Sequence, residues 1–411
     1  MRSASIVVLI ALLALASTGC PPAPPPVNTT PTVQQSSVDP LQTRMEEAFR
    51  QIRARQLDPS HGFWTVFHGI LGLGPDLDLY DPQTQKPMMK ALDYIRLGKP
   101  MKGLRFDVRG NGLDVFTASD IDVFFAQGHQ DQFVAEMAQW GVSKNLPFNV
   151  DGKDFTFADF IQYTKQRACV TRKQELAWAL LVIAEYEGTK LNWTNQFNET
   201  LTVEDIVKYE LESPLDPEDA IKIGQLPLAC GGTHRLFGLS WALHRHLQDG
   251  GKLTGIWKTT HEKLDSLKKT VKNSRNTDGS FSTNYFTRRG DDANLNTRLS
   301  TTGHTFEWLV IALDDNEIKE PWVEQAASYL TQLVLDLQKE PIDGGSLYHA
   351  VHGLLIYYAR VYGTEALGPN TPYVRLAPSC KPIPWKPLPS TETTAQADAI
   401  ATAAISSAPE K

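Results

Sequence analysis

From residue 41 to about residue 362 the apolar positions recur with a helical period, and two kinds of segment alternate. Stretches at roughly 61–72, 129–141, 171–187, 231–248, 303–314 and 346–362 are apolar nearly all round, whereas those at 41–56, 87–97, 155–166, 202–212, 256–275 and 321–338 carry charge along one side. A helix that is apolar all round is buried on every side, and one with a single apolar stripe lies between core and solvent. Six helical hairpins follow, each an outer amphipathic helix and then an inner buried one. The all-α arrangement that meets both demands is an (α/α)6 toroid, expected over residues 41–388.

The inner segments share a register. Those beginning at His61, His129, His234, His304 and His349 place Val66, Val134, Leu239, Leu309 and Leu354 five residues on, and Glu175 with Leu180 fits the same frame. Five of the ten histidines of the chain occupy this one position, which points to an internal repeat. Parallel inner helices would open their N-termini onto one mouth, with loops at 98–128, 213–230 and 276–302 around it. Long loops on a rigid scaffold are where binding groups collect.

The ends of the chain set the compartment. Arg2 and an apolar run from Ile6 to Ala16 have the layout of a signal peptide over residues 1–19, too short to span a bilayer. Ser17-Thr18-Gly19-Cys20 is similar to the lipobox of bacterial lipoproteins, which implies a lipid on the Cys20 thiol and anchorage to a membrane of the cell envelope. Residues 20–40 are rich in Pro, Thr and Ser and read as a tether, and 389–411 as a disordered tail. With Cys20 lipidated, Cys169, Cys230 and Cys380 remain in an oxidising compartment. A Cys169–Cys230 disulfide is expected because both precede adjacent inner helices, with Cys380 as the rival partner. The net charge of −7 and the lack of basic runs speak against nucleic acid as a partner.

Two pieces near the C-terminus, Gln338–Leu347 (QKEPIDGGSL) and Asn276–Ser282 (NTDGSFS), resemble the Q…DG-x-aromatic repeats of terpenoid cyclases and protein prenyltransferases. Tyr348-His349-Ala350-Val351-His352-Gly353-Leu354 is similar to the prenyltransferase Y-H-x-x-x-G-L segment, whose histidine is a zinc ligand. The resemblance implies an α/α toroid. It does not carry the activity, because serine stands at Ser280 where the D-x-C zinc segment would have cysteine, and the D-x-D-D of protonating cyclases is missing. The chain as a whole also looks like a group of planctomycete-type secreted lipoproteins.

Candidate chemistry sits where the register puts it. His61, His129, His234, Arg235, His304 and His349 are the expected ligand-binding residues, and His234, His304 and His349 with Asp278 the expected ligands of a divalent metal, since neutral imidazoles and carboxylates suit such ions. As repeat residues the same histidines need do no more than bond their own preceding loops. Glu175, Asp278 and Glu307 are the carboxylates available for catalysis. The leading expectation is a non-catalytic envelope lipoprotein that binds a ligand, glycan or cell-wall partner at the mouth. The alternatives are a glycan-active hydrolase or lyase, which needs a carboxylate pair at fixed separation, and a prenyltransferase or terpenoid-cyclase-like enzyme.

Overall fold

Inner and outer helices alternate along the chain in the computed structural model, which describes residues 39–363 except 111, 122–124, 216, 223–228 and 338. The signal segment, Cys20, the tether, Cys380 and the tail lie outside the described residues. The protein is mostly helical: α1 (Pro40–Arg53), α2 (Gly62–Leu73), α3 (Ala91–Arg96), α4 (Ala118–Ile121), α5 (Gln132–Gln139), α6 (Phe157–Arg167), α7 (Ala177–Glu187), α8 (Val203–Glu212), α9 (Pro217–Lys222), α10 (Thr233–Gln248), α11 (Gly255–Ser274), α12 (Leu295–Ala312), α13 (Pro321–Asp336) and α14 (Gly344–Val361). Among the described residues no helix is long and apolar enough to cross a membrane.

Burial follows the two-class pattern. Every residue of α7 from Ala177 to Glu185 is buried, whereas α11 buries only the stripe Trp257, Thr260, Leu264, Leu267 and Val271, spaced to keep one face inward. The six apolar helices α2, α5, α7, α10, α12 and α14 each touch the next in that order, and α14 in turn touches α2. The amphipathic helices lie against them: α1 and α13 on α14, α6 and α8 on α7, α11 on α10.

The contact between α12 and α14 is close because two glycines face it. A Cβ on Gly303 would lie 3.1 Å from the Cα of Ala350, and one on Gly353 would lie 3.0 Å from the Cα of Glu307. Backbone approach of this kind brings side chains three residues apart on both helices into a single layer.

Four two-stranded antiparallel hairpins, unforeseen in the sequence pattern, occupy the connections: β1 (Asp78–Tyr80) with β2 (Pro87–Lys90), β3 (Phe106–Arg109) with β4 (Gly112–Val115), β5 (Pro147–Val150) with β6 (Lys153–Thr156), and β7 (Asn192–Thr194) with β8 (Thr200–Thr202). The helix expected at 87–97 is therefore confined to α3, because residues 87–90 pair with β1. A short motif follows three of the hairpins. Thr117 with Asp120, Thr156 with Asp159 and Thr202 with Asp205 each close the start of the next helix, the carboxylate accepting from the threonine N–H at 2.9, 2.6 and 2.8 Å. This reciprocal cap satisfies donors that the first helical turn leaves open.

The helix heads are also staggered. Helix α12 starts at Leu295, eight residues before the expected position, because Asn294 caps it by accepting from Asn296 N at 2.9 Å and Thr297 N at 3.2 Å. His304 consequently lies in the third turn of its helix and His349 in the second of α14, while His234 is the second residue of α10. The shared register is a shared place in space more than a shared place on a helix.

Candidate metal centre

Five helices and three segments ahead of helices deliver polar side chains to one part of the interior. α12 presents His304 and Glu307, α14 presents His349 and His352, α5 presents Gln132 and Glu136, α2 presents His68, and α10 presents His234. His129 and Glu175 come from the residues just ahead of α5 and α7, and Cys230 from the 3-10 turn ahead of α10. All of these except His129, Glu175 and Cys230 are buried.

The imidazoles form a continuous series. Ring centroids are 4.9 Å apart for His129 and His234, 5.5 Å for His234 with His304 and with His349, 4.3 Å for His304 and His349, and 5.2 Å for His349 and His68. Nearly every ring is held by its Nδ1. His304 Nδ1 donates to Ser300 O at 2.7 Å, His68 Nδ1 to Trp64 O at 2.7 Å, His129 Nδ1 to Glu175 at 2.8 Å, and His349 and His352 to the two oxygens of Glu307 at 2.7 and 2.5 Å. A proton fixed on Nδ1 leaves the lone pair on Nε2, the arrangement found behind metal-ligating histidines.

His234 is the exception. Its Nδ1 stands 3.9 Å from Glu175 Oε1, beyond hydrogen-bond range, and neither of its buried ring nitrogens has a partner. Trp178 Nε1 is likewise unsatisfied, and the Trp178 ring lies against His234 with centroids 4.7 Å apart. Buried polar atoms normally find a partner, so a buried imidazole with neither nitrogen bonded marks a site that expects something more than protein.

Burial disfavours the charged form of four of these rings. Burial holds the imidazoles of His68 and His349 well below the usual histidine range, helped by the neighbouring histidines, and lowers His234; it takes His304 to about 4. Burial works against the charge of Glu175, yet His129 and His234 beside it hold its carboxyl well below the usual range. Burial pushes the Cys230 thiol up to about 12. Three trios of donors have ligand atoms within 4.8 Å of one another: His129, Cys230 and His234; His234, His304 and His349; and His68, Glu136 and His349.

Of the residues singled out by sequence, His129, Glu175, His234, His304, Glu307 and His349 come together here. His61 does not. It is exposed and completes a cap with Asp58, whose N–H it accepts at 3.2 Å, and His68, two helical turns further on, takes its place. Arg235 points to the outer layer, where it donates to Glu210 at 2.5 Å and to Ser213 O at 3.0 Å. Asp278 is bound by Ser280 and by Arg298 at 2.8 Å in the 275–294 loop, and it joins none of the donor trios. Glu136, Gln132 and His352 were missed, and Cys230 was read only as a disulfide partner, although Gln132 and Glu136 are conspicuous as polar residues four apart on an apolar helix. Cys169 and Cys230 both carry free thiols here, and the Cys169 sulfur lies 3.4 Å from Thr171 Oγ1.

No protein-family model, curated protein or solved structure matches this chain.

Proposed function

We propose that this chain is an exported envelope protein, anchored by a lipid on Cys20, whose helices form an (α/α)6 toroid that binds a divalent transition metal through His234, His304 and His349. Support for the toroid comes from the closed order of contacts among the six inner helices and the amphipathic helices laid against them. The single observation that carries the metal reading is His234: a buried imidazole with no partner on either nitrogen, beside two others whose protons are fixed on Nδ1 or drawn there by a carboxylate.

Three neutral nitrogens suit Zn2+ and its neighbours Co2+ and Ni2+, and water completes the tetrahedron. Binding fits better than carbohydrate hydrolysis, because each candidate carboxylate is already engaged: Glu175 by His129, Glu307 by His349 and His352, Asp278 by Arg298. A glycosidase needs two carboxyl groups facing one substrate bond.

Titration of the full chain with Zn2+ is expected to give one equivalent per chain, and His304→Ala with His349→Ala is expected to abolish binding while the circular dichroism spectrum stays helical. Calorimetric silence toward Zn2+, Co2+ and Ni2+ in the unsubstituted protein would overturn the reading. The anchor is tested separately: a Cys20→Ala chain should leave the membrane fraction for the soluble envelope fraction, and persistence in the membrane would refute it.

A further inference from the structure

We infer that the metal has a second, deeper station made by His68, Glu136 and His349, and that because His349 serves both stations the cluster holds one ion in two alternative ligand sets. This rests on the metal centre proposed above and adds to it a ligand set and a stoichiometry.

The deeper trio has its own signature. Glu136 is fully buried, and its Oε2 has no hydrogen-bond partner. A carboxylate oxygen left bare in the interior needs a cation or a proton. His68 donates from Nδ1 to Trp64 O at 2.7 Å, so its lone pair lies on Nε2, which stands 3.4 Å from Glu136 Oε1. The Gln132 amide nitrogen lies 3.1 Å from that His68 nitrogen and 2.9 Å from Glu136 Oε1. The Gln132 amide thus occupies the His68 lone pair and one Glu136 oxygen together, and an ion bound by both residues would take its place. The Gln132 side-chain oxygen in turn accepts from His129 N at 3.2 Å, which ties this trio to the outer end of the series.

Sharing follows from the chemistry of one imidazole. His349 gives its Nδ1 proton to Glu307 Oε2, and this leaves a single lone pair, on Nε2. One lone pair serves one ion at a time. Within each trio the ligand atoms lie within 4.8 Å of one another, and His349 is common to both, so an ion can exchange His234 and His304 for His68 and Glu136 without releasing His349. The two sets, three histidines against two histidines and a carboxylate, are both established zinc-binding sets. They differ in charge, because only the deeper one carries an anion to offset the cation.

The test loads the full chain with Co2+ and reads stoichiometry and the visible ligand-field spectrum. One equivalent is expected for the unsubstituted protein. His234→Ala is expected to retain about one equivalent with a changed spectrum and weaker affinity, and Glu136→Gln alone is expected to retain the three-histidine spectrum. Glu136→Gln added to His234→Ala is expected to weaken Co2+ binding at least about tenfold further. His68→Asn in that background should do the same, which guards against a folding fault peculiar to one variant. Two equivalents in the unsubstituted protein would overturn the sharing. Unchanged affinity when either deeper ligand is removed from His234→Ala would overturn the second station. No Co2+ binding by any form would instead sink the metal centre on which both depend.

Discussion

Replacing His234 with Leu is expected to raise the melting temperature of the metal-free protein while weakening Zn2+ binding by about tenfold or more. Both effects have one cause. His234 is buried with neither ring nitrogen bonded, and an unsatisfied buried polar group costs about 1–3 kcal/mol. Leucine has a similar volume and no polar atom. It would pack against Trp178, whose ring is 4.7 Å away, and remove that cost, giving a gain of about 2–6 °C. Glu175 keeps its hydrogen bond from His129, so the substitution strands no other charge. Calorimetry in the presence of a chelator, followed by Zn2+ titration, separates the two quantities. A histidine that only packs within a repeat predicts the reverse pattern, a lower melting temperature with metal affinity untouched, and that result would discard the site.

Arg235→Leu should destabilise the protein by about 3–5 kcal/mol and leave metal affinity unchanged. The guanidinium is buried and donates to Glu210 at 2.5 Å, to Ser213 O at 3.0 Å and to Pro214 O at 3.1 Å. Removing it isolates the Glu210 carboxylate, whose remaining partner is Leu176 N at 2.9 Å. Burial already lifts the Glu210 carboxyl above the usual range even with the arginine beside it. The double substitution Arg235→Leu with Glu210→Leu should recover most of the loss, since replacing a whole buried pair by apolar groups is close to neutral. Chemical denaturation of the four-member cycle provides the measurement. If the single substitution weakens metal binding without lowering stability, Arg235 belongs to the site after all.

The helices were legible because period and polarity along an amphipathic or buried helix are strong signals, and the inner segment at 171–187 or the outer one at 256–275 could hardly be read otherwise. The hairpins were lost in that same reading. Asp151-Gly152 is a strong two-residue turn signal, and both residues do adopt positive φ, 51° and 78°, but strands of three or four residues are too short to assert a period of two. The repeated histidine register pointed to the right interior while misplacing depth, since it assumed level helix heads. Asn294 starts α12 early, and His61 is drawn off by Asp58. Glu136 and Gln132 could be seen in the sequence only as polar interruptions; that they meet His68 depends on the packing of α5 on α2, which no local pattern encodes.

The contact between α2 and α14 is the one place where the series of inner helices is joined without the chain running through it in order. The first and last of these helices meet along that seam in one of the closest contacts of the series. Beside it α1 is tied to the end of α14, where the Tyr362 hydroxyl donates to Asp39 at 3.1 Å. On the inside the two lips carry His68 and His349, 5.2 Å apart between ring centres. An ion held by both, as proposed above, would act as a clasp, so that parting α2 from α14 and letting the ion go would become a single event.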